Sequence, residues 1–213
     1  MKGARYIVVE GPIGVGKTTL ARLLAEEFHA RAVLEQVDEN PFLRKFYDDP
    51  GAYAFQTQLF FLLSRYRQQR ALAQQDLFSQ STVADYLFAK DQIFAQATLE
   101  TDELALYKQL FGLLDARLPK PDLVVYLQAR GDVLMDRLRK RDREYERRIA
   151  PDYVQRLAEA YRDFFFYYDE TPLLVVNSSD VDFVARSDDL ADLVREIKSM
   201  RQGVQHYIPL GSR

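Results

Sequence analysis

Short apolar runs separated by amphipathic stretches dominate the pattern of hydrophobic and polar positions along the chain. Five of these runs are rich in Val, Ile or Leu and have the length of buried strands. They occupy residues 6–10, 32–35, 81–84, 123–127 and 173–176. Because helical periodicity fills the stretches between them, the pattern predicts right-handed strand–helix–strand crossovers. The expected fold class is α/β, with a five-stranded parallel sheet flanked by helices.

The helices are predicted from apolar positions that recur at helical spacing. Asp132 is placed to cap one of them, and Pro151 suits the first turn of another. The predicted helices cover residues 17–28, 55–73, 133–141, 152–168 and 187–200. Linkers, repeats and low-complexity segments are absent from the sequence, so we expect residues 1–213 to form a single domain.

Composition and charge narrow the class of protein. The chain has 213 residues, of which 47% are hydrophobic and 29% charged, as in an ordinary globular protein. Its net charge of -3 gives no reason to expect binding to nucleic acid or to an anionic membrane. The sequence has no Cys, no leader segment and no apolar run near the roughly 20 residues of a membrane span. We therefore expect a cytosolic protein.

A glycine-rich segment follows the first predicted strand. The segment GPIGVGKT matches the phosphate-binding pattern G-x-x-x-x-G-K-[ST], and a predicted helix begins at its lysine. Backbone N–H groups of such a loop bind phosphate oxygens, the lysine bridges the β- and γ-phosphates, and the threonine ligates Mg²⁺. The competing interpretation is a turn without a ligand. The predicted ATP-binding residues of the loop are Gly11, Pro12, Ile13, Gly14, Val15, Gly16, Lys17 and Thr18.

Two acidic residues end the predicted second and third strands. Ligands of open α/β sheets lie beyond the carboxyl ends of the strands, where Glu35 and Asp85 are expected. Phosphoryl transfer needs an acceptor for the proton of the attacking hydroxyl and an acid that holds Mg²⁺. Thr18 and Asp85 are the candidate metal ligands. The alternative is that the two acids only cap the helices that follow.

Arginines are concentrated between Arg130 and Arg148, although the chain is acidic overall. Arginine is suited to bidentate phosphate recognition, so a lid over residues 137–149 could close on a triphosphate. A charge run on its own equally favours a solvated helix, in which the arginines pair with neighbouring acids.

These residues together resemble the deoxyribonucleoside kinases, and the bacterial members most of all. The resemblance extends from EGPIGVGKTTL to VVNSSDVDF and includes FYDDPGAYAFQTQLFFLLSR and VADYLFAKDQIFA. It implies transfer of the γ-phosphate of ATP to the 5′-hydroxyl of a deoxynucleoside. It also implies a homodimer formed through helices.

The resemblance also assigns roles to individual residues. Glu35 is implied to be the general base, and Gln56 to hydrogen-bond the nucleobase. Tyr47 and Glu146 are implied to contact the sugar 3′-hydroxyl, with Asp85 and Asp91 also near the nucleoside. Asp182 and Phe183 resemble the loop that borders the adenine of ATP. The arginines implied to surround the phosphates are Arg137, Arg141 and Arg143, of which the last two join Lys17 and Glu35 as catalytic residues.

The chain departs from the family pattern at two places. Many members have Glu-Arg-Ser where this chain has Asp85-Tyr86-Leu87, so the charge of that arginine is missing. Several relatives pair an aspartate, matched here by Asp91, with an arginine seven residues after the glutamine. Counted from Gln56, that position holds Leu63, and Arg65 would serve only if the helix register shifts. We expect a purine nucleoside to be the preferred substrate, and this expectation rests only on the resemblance to the bacterial members.

Other functions stay open on sequence grounds. A thymidylate-type nucleoside monophosphate kinase shares the loop, the sheet and an arginine lid, but needs extra cations for the acceptor's phosphate. A GTP-dependent switch would need an Asn-Lys-x-Asp segment, which is absent. A catalytically inactive partner subunit would not need Lys17, Glu35 and Asp85.

Overall fold

A six-stranded parallel sheet organises the part of the chain that the computed structural model describes, residues 6–75, 81–115, 118–179, 183 and 186–208. The spatial order of the strands is β2-β3-β1-β4-β5-β6, and each neighbouring pair is parallel. The strands are β1 Tyr6–Glu10, β2 Arg31–Val33, β3 Thr82–Ala84, β4 Leu123–Gln128, β5 Leu173–Asn177 and β6 Val204–Tyr207. The predicted α/β class and parallel sheet are thus confirmed.

Helices connect the strands and cover both faces of the sheet. Single 3-10 turns lie at Val37–Glu39 and Glu144–Arg148. The α-helices are α1 Lys17–Glu27, α2 Leu43–Asp48, α3 Pro50–Gln75, α4 Lys90–Thr98, α5 Thr101–Asp115, α6 Gly131–Arg141, α7 Pro151–Phe166 and α8 Ser187–Ser199. Among these helices, none is long and apolar enough to cross a membrane.

Alternation along the central strands divides the core into two layers. Val9 and Val125 face a cluster that includes α1, α6 and α8, whereas Val8 and Val124 face α4 and α7. All four valines are fully buried, as expected for central strands of a parallel sheet covered on both faces. A separate cluster joins α3 to α5.

Two sequence predictions are corrected here. The predicted five strands become six, because β6 adds an edge strand with only half-buried and exposed positions and therefore no apolar run. The predicted cap at Asp132 is wrong, since α6 begins at Gly131, two residues earlier than predicted, and Arg130 occupies the N-cap without a side-chain bond. Asp132 instead lies in the first turn, where the helix dipole favours its negative charge.

The carboxyl ends of β1, β2 and β3 meet at one edge of the sheet. Asp85 donates its backbone N–H to the Val33 carbonyl at 3.1 Å, which ties the end of β3 to the end of β2. The segments that carry Glu10, Glu35 and Asp85 therefore converge, as an open α/β sheet requires of a ligand site.

Candidate active site

The glycine-rich loop is held from below by Glu10. This fully buried carboxylate accepts hydrogen bonds from the N–H groups of Gly11 at 2.9 Å and Leu87 at 2.6 Å. Gly14 and Gly16 have φ values of 83° and 104°, which side chains with a Cβ rarely adopt. The loop therefore has the backbone shape that turns successive N–H groups towards one point at the start of α1.

Lys17 lies across the loop. Its Nζ donates to the carbonyl oxygens of Gly11 at 2.6 Å and Pro12 at 3.2 Å. Burial lowers the pKa of Lys17 to about 8. An anion placed beside this ammonium would favour its charged form, so the loop is suited to a phosphate group.

Arg137 supports the loop from behind. Its guanidinium donates to the Val15 carbonyl at 3.1 Å and to the Ser178 carbonyl at 2.7 Å. Val15 itself belongs to the core and is 3% exposed. Both predicted ATP-binding residues thus shape the loop in this structure, and neither side chain lines the cavity in front of it.

Asp85 joins the loop to the end of β2. One carboxylate oxygen accepts from the Thr18 hydroxyl at 2.5 Å, and the other accepts from the Glu35 backbone N–H at 2.7 Å. A hydroxyl beside a carboxylate offers the oxygen ligands that Mg²⁺ takes in phosphate-binding sites. Within the described residues, no group of three or more acidic or His side chains could hold a metal ion. An Mg²⁺ ion held by Thr18 and Asp85 would take its remaining ligands from water and phosphate.

Glu35 is held between two cations. Its side chain is 11% exposed and forms an ion pair with Arg65 on one side and a 2.6 Å hydrogen bond from Lys90 Nζ on the other. Burial on its own would raise the pKa of Glu35, but Arg65 and Lys90 hold it well below the usual range. The carboxylate therefore stays charged and fixed in direction.

The face of α3 that points into the site differs from the predicted one. Gln56 is exposed, whereas Gln58 lines the cavity, is 2% exposed and donates to Thr98 Oγ1 at 3.3 Å. Arg65 lies seven residues after Gln58 and forms ion pairs with both Glu35 and Asp91. Gln58, rather than the predicted Gln56, is therefore the glutamine of α3 that lines the cavity, and the residue seven positions after it is an arginine rather than Leu63.

The arginine-rich segment closes the opposite side of the site. Glu146 is 7% exposed and accepts two hydrogen bonds from the Arg141 guanidinium, at 2.5 and 3.0 Å. Arg143 donates to the Tyr145 hydroxyl at 2.8 Å, and that hydroxyl donates to Asp38 at 2.9 Å. These contacts fasten the 3-10 turn to the segment after β2.

Other arginines of this segment face solvent. Arg139 pairs with Asp136 and Arg147 with Asp142, and all four side chains are more than half exposed. The two sequence interpretations therefore both apply, each to different residues: Arg141 and Arg143 line the cavity, and Arg139 and Arg147 form solvated pairs.

Tyr47 lies beside the 3-10 turn. Its ring stacks on Tyr145 with centroids 6.1 Å apart and an interplanar angle of 10°. Burial raises the pKa of Tyr47 well above its usual value, so the phenol stays neutral and able to donate a hydrogen bond. Tyr47 and Glu146 are predicted to lie near each other, and in the structure both line one cavity.

This cavity has a volume of about 510 Å³ and runs from the phosphate loop to α3. The predicted site residues that are described but do not line it are Gly11, Pro12, Val15, Gln56, Asp91, Arg137 and Phe183. Asp182 lies outside the described residues. The predicted site residues that line it are Ile13, Gly14, Gly16, Lys17, Thr18, Glu35, Tyr47, Asp85, Arg141, Arg143 and Glu146.

Two residues that line the cavity, Gln58 and Lys90, are not predicted from the sequence, and Arg65 is considered there only with a shift of helix register. The seven-residue spacing from Gln58 to Arg65 was a usable signal, because Asp91 was already matched to the pattern. Lys90 had no such signal, since a lysine at the start of a helix is ordinarily a surface residue.

Comparison with known proteins places the chain in a family. A sequence model described as deoxynucleoside kinase matches residues 7–202. A deoxyguanosine kinase of Bacillus subtilis is 36% identical over 205 residues, which cover 94% of this chain and 99% of that protein. A deoxyadenosine kinase of Dictyostelium discoideum is 32% identical over 203 residues, covering 92% and 80%.

Solved structures agree on the fold. The deoxyadenosine kinase of M. mycoides with bound dATP superposes with a TM-score of 0.79 at 22% identity, covering 91% of this chain and 100% of that one. The match of the family model over most of the chain, together with these full-length relatives, decides the assignment. The chain belongs to the deoxynucleoside kinase family and is an enzyme that phosphorylates deoxynucleosides.

Proposed function

We propose that this enzyme transfers the γ-phosphate of ATP to the 5′-hydroxyl of a purine deoxynucleoside with the help of Mg²⁺. The observation that carries the proposal is one continuous cavity, lined at one end by the phosphate loop, in the middle by Glu35 and at the other end by Gln58. Donor phosphate, proton acceptor and acceptor nucleoside would then meet in the order that in-line transfer requires.

The donor end of the cavity is assigned to ATP. The loop around Gly14 and Gly16 would bind the β- and γ-phosphates through backbone N–H groups, and Lys17 would exchange its bonds to loop carbonyls for phosphate oxygens. Thr18 and Asp85 would hold Mg²⁺, whose positive charge stabilises the phosphates during transfer.

Glu35 is assigned as the base. The proton of the 5′-hydroxyl passes to a Glu35 carboxylate oxygen, while a bond forms between the 5′-oxygen and the γ-phosphorus and the bond from that phosphorus to the β,γ-bridging oxygen breaks. Arg141 and Arg143 lie on the lid side of the same cavity, where they would neutralise charge on the transferred group.

The nucleoside end is assigned from its polar groups. Gln58 offers both a donor and an acceptor to the edge of a base, and Arg65 lies on the same face of α3. Tyr47 and Glu146, which line the same cavity, would bind the sugar 3′-hydroxyl. The preference for a purine is supported by the relatives, which are named deoxyguanosine and deoxyadenosine kinases.

We also propose a homodimer formed through α3 and α5. The exposed leucines of the described residues are Leu63 on α3 and Leu106 and Leu113 on α5, with 42%, 50% and 66% of their surface exposed. Leu106 and Leu113 are two helical turns apart and share one face. A second copy of the chain would cover this leucine surface, defined by these three residues.

A competition assay tests the proposed reaction. The four deoxynucleosides and the corresponding monophosphates are offered together with ATP and Mg²⁺, and products are separated by chromatography. We expect deoxyguanosine or deoxyadenosine to be converted fastest to its 5′-monophosphate. Phosphorylation of monophosphates alone would replace this proposal with a monophosphate kinase, and a faster reaction with a pyrimidine nucleoside would overturn the purine assignment.

A further inference from the structure

A buried lysine lies next to the proposed base, and neither the phosphate loop nor the lid accounts for it. Lys90 is 3% exposed, lines the cavity and donates to Glu35 Oε2 at 2.6 Å. Burying an ammonium costs free energy unless it is paired. Glu35 provides a partner, but it is already paired with Arg65 on its other oxygen.

The position of Lys90 in its helix adds to this cost. It is the first residue of α4, where the helix dipole disfavours a positive charge. Lys17, the other ammonium group of this site, lines the same cavity. The cavity is thus lined by two ammonium groups, and one of them lies at the N-terminal end of a helix, where a positive charge is unfavourable. This arrangement indicates a site that binds additional negative charge or a strong hydrogen-bond acceptor.

We propose that Lys90 donates a hydrogen bond to the 5′-oxygen of the acceptor nucleoside, and this inference rests on the proposed function. A hydroxyl that gives its proton to Glu35 must lie within about 3 Å of that carboxylate, on the cavity side. Lys90 Nζ contacts the same carboxylate from within the cavity. An ammonium has three N–H donors, and the bond to Glu35 uses one.

The contact would have a defined effect on the reaction. The 5′-oxygen becomes more negative as its proton moves to Glu35 and its bond to phosphorus forms. An ammonium beside that oxygen stabilises the change and keeps its own protons throughout. Once Glu35 is protonated, the charge of Lys90 is no longer matched by the carboxylate and acts on the transferring group instead.

The test removes the lysine and the 5′-oxygen separately. Binding of the better purine deoxynucleoside and of the matching 2′,5′-dideoxynucleoside is measured by calorimetry in four proteins: wild type, Lys90→Met, Glu35→Gln and the double variant. The quantity compared is the affinity for the deoxynucleoside divided by the affinity for the 2′,5′-dideoxynucleoside. We expect Lys90→Met to lower this ratio about tenfold, both in the wild-type background and in the Glu35→Gln background. Lys120→Met, which removes a half-exposed lysine away from the cavity, should leave the ratio unchanged.

Each other outcome decides against the contact. If Lys90→Met leaves the affinity ratio of the two ligands unchanged, Lys90 does not bind the 5′-oxygen. If Lys90→Met changes that ratio only in the protein that retains Glu35, Lys90 acts solely by holding Glu35 in position. Should Lys90→Met fail to fold, Lys90→Gln keeps a neutral donor and should shift the ratio in the same direction by less. A wild-type protein that phosphorylates no deoxynucleoside would refute the proposed function itself, which separates the two failures.

Discussion

At the residue scale, the charge state of Glu35 follows from its neighbours. Arg65 and Lys90 keep the carboxylate ionised, and the bond from its backbone N–H to Asp85 fixes the chain segment that carries it. A carboxylate held in this way stays ionised and able to accept a proton, but its lowered pKa makes it a weaker base in the resting site. In the proposed reaction, formation of the bond between the 5′-oxygen and phosphorus must therefore make the 5′-hydroxyl more acidic, so that its proton passes to Glu35.

Replacing Glu35 by Gln should lower kcat by about 10²–10⁴-fold, because the amide keeps the shape of the side chain but accepts no proton. Binding of ATP should stay within a few-fold of wild type, since the Glu35 side chain bonds to Arg65 and Lys90 rather than to the phosphate loop. Glu39→Gln serves as the matched control on an exposed residue of the neighbouring turn. Steady-state kinetics together with ATP titration measure both effects, and an undiminished kcat would exclude Glu35 as the base.

The two glutamines of α3 form a second matched pair. Gln58→Ala should raise KM for the nucleoside about 5–100-fold and reduce discrimination among bases, because a buried amide that pairs with the base is lost. Gln56→Ala should change neither quantity, since this side chain is exposed on the other face. The same competition assay measures the pair. Equal behaviour of the two variants would show that the base is recognised elsewhere.

The sequence pattern could not tell that Gln58 rather than Gln56 lines the cavity, and this has a physical origin. Helix α3 carries apolar residues around much of its circumference, because it packs against α2, α4 and α5. Periodicity then cannot tell which polar residue points inwards, and two glutamines two positions apart face in nearly opposite directions. The position of Glu35 and Asp85 beside the cavity could be predicted, because the carboxyl ends of parallel strands all lie at the same edge of the sheet.

At the element scale, the phosphate loop and the lid helix are in direct contact. A Cβ built on Gly14 would lie 2.8 Å from the Leu134 carbonyl and 3.1 Å from Leu138 Cγ, both in α6. Helix α6 also carries Arg137 and Arg141. The loop and the lid must therefore fit together, and the loop sequence constrains where the lid arginines lie.

Gly14→Ala should destabilise the protein by about 1–3 kcal/mol, because it combines a positive φ of 83° with contact against α6. ATP affinity should fall as well, since the lid is pushed from the loop. Gly112→Ala is the control: it lies in α5 with open space around its Cβ and should stabilise by about 0.5–1 kcal/mol. Denaturant unfolding and ATP titration test both variants, and a Gly14→Ala protein of wild-type stability would contradict the packing argument.

Elements with strong local signals could be predicted, and those set by tertiary contacts could not. The loop and helix α1 follow from a motif whose chemistry fixes its geometry. Strand β6 alternates exposed and half-buried residues without an apolar run, and it forms a strand only because β5 offers an unpaired edge. Helix α4 begins at Lys90, a residue that local propensity would place on the surface.

At the scale of the whole molecule, the carboxyl edge of the sheet and helix α3 contribute different parts of the site. The ends of β1, β2 and β3 hold the phosphate loop, Glu35 and Asp85, whereas α3 contributes Gln58 and Arg65 to one face and Leu63 to the outside. The exposed Leu63 of α3 and the exposed Leu106 and Leu113 of α5 lie on helices that contact each other. A dimer through α3 and α5 would therefore also support the nucleoside end of the site.

Leu106→Glu combined with Leu113→Glu should convert a dimer into monomers, because two facing copies would bring four carboxylates into an apolar contact. Sedimentation velocity measures the mass, and KM for the nucleoside should rise in the monomer while ATP binding is retained. Val204→Glu is the control, since Val204 is 56% exposed on the edge strand β6, which pairs with β5 and belongs to neither helix. A double variant that sediments as the wild type does would show that the leucine surface is not the dimer contact.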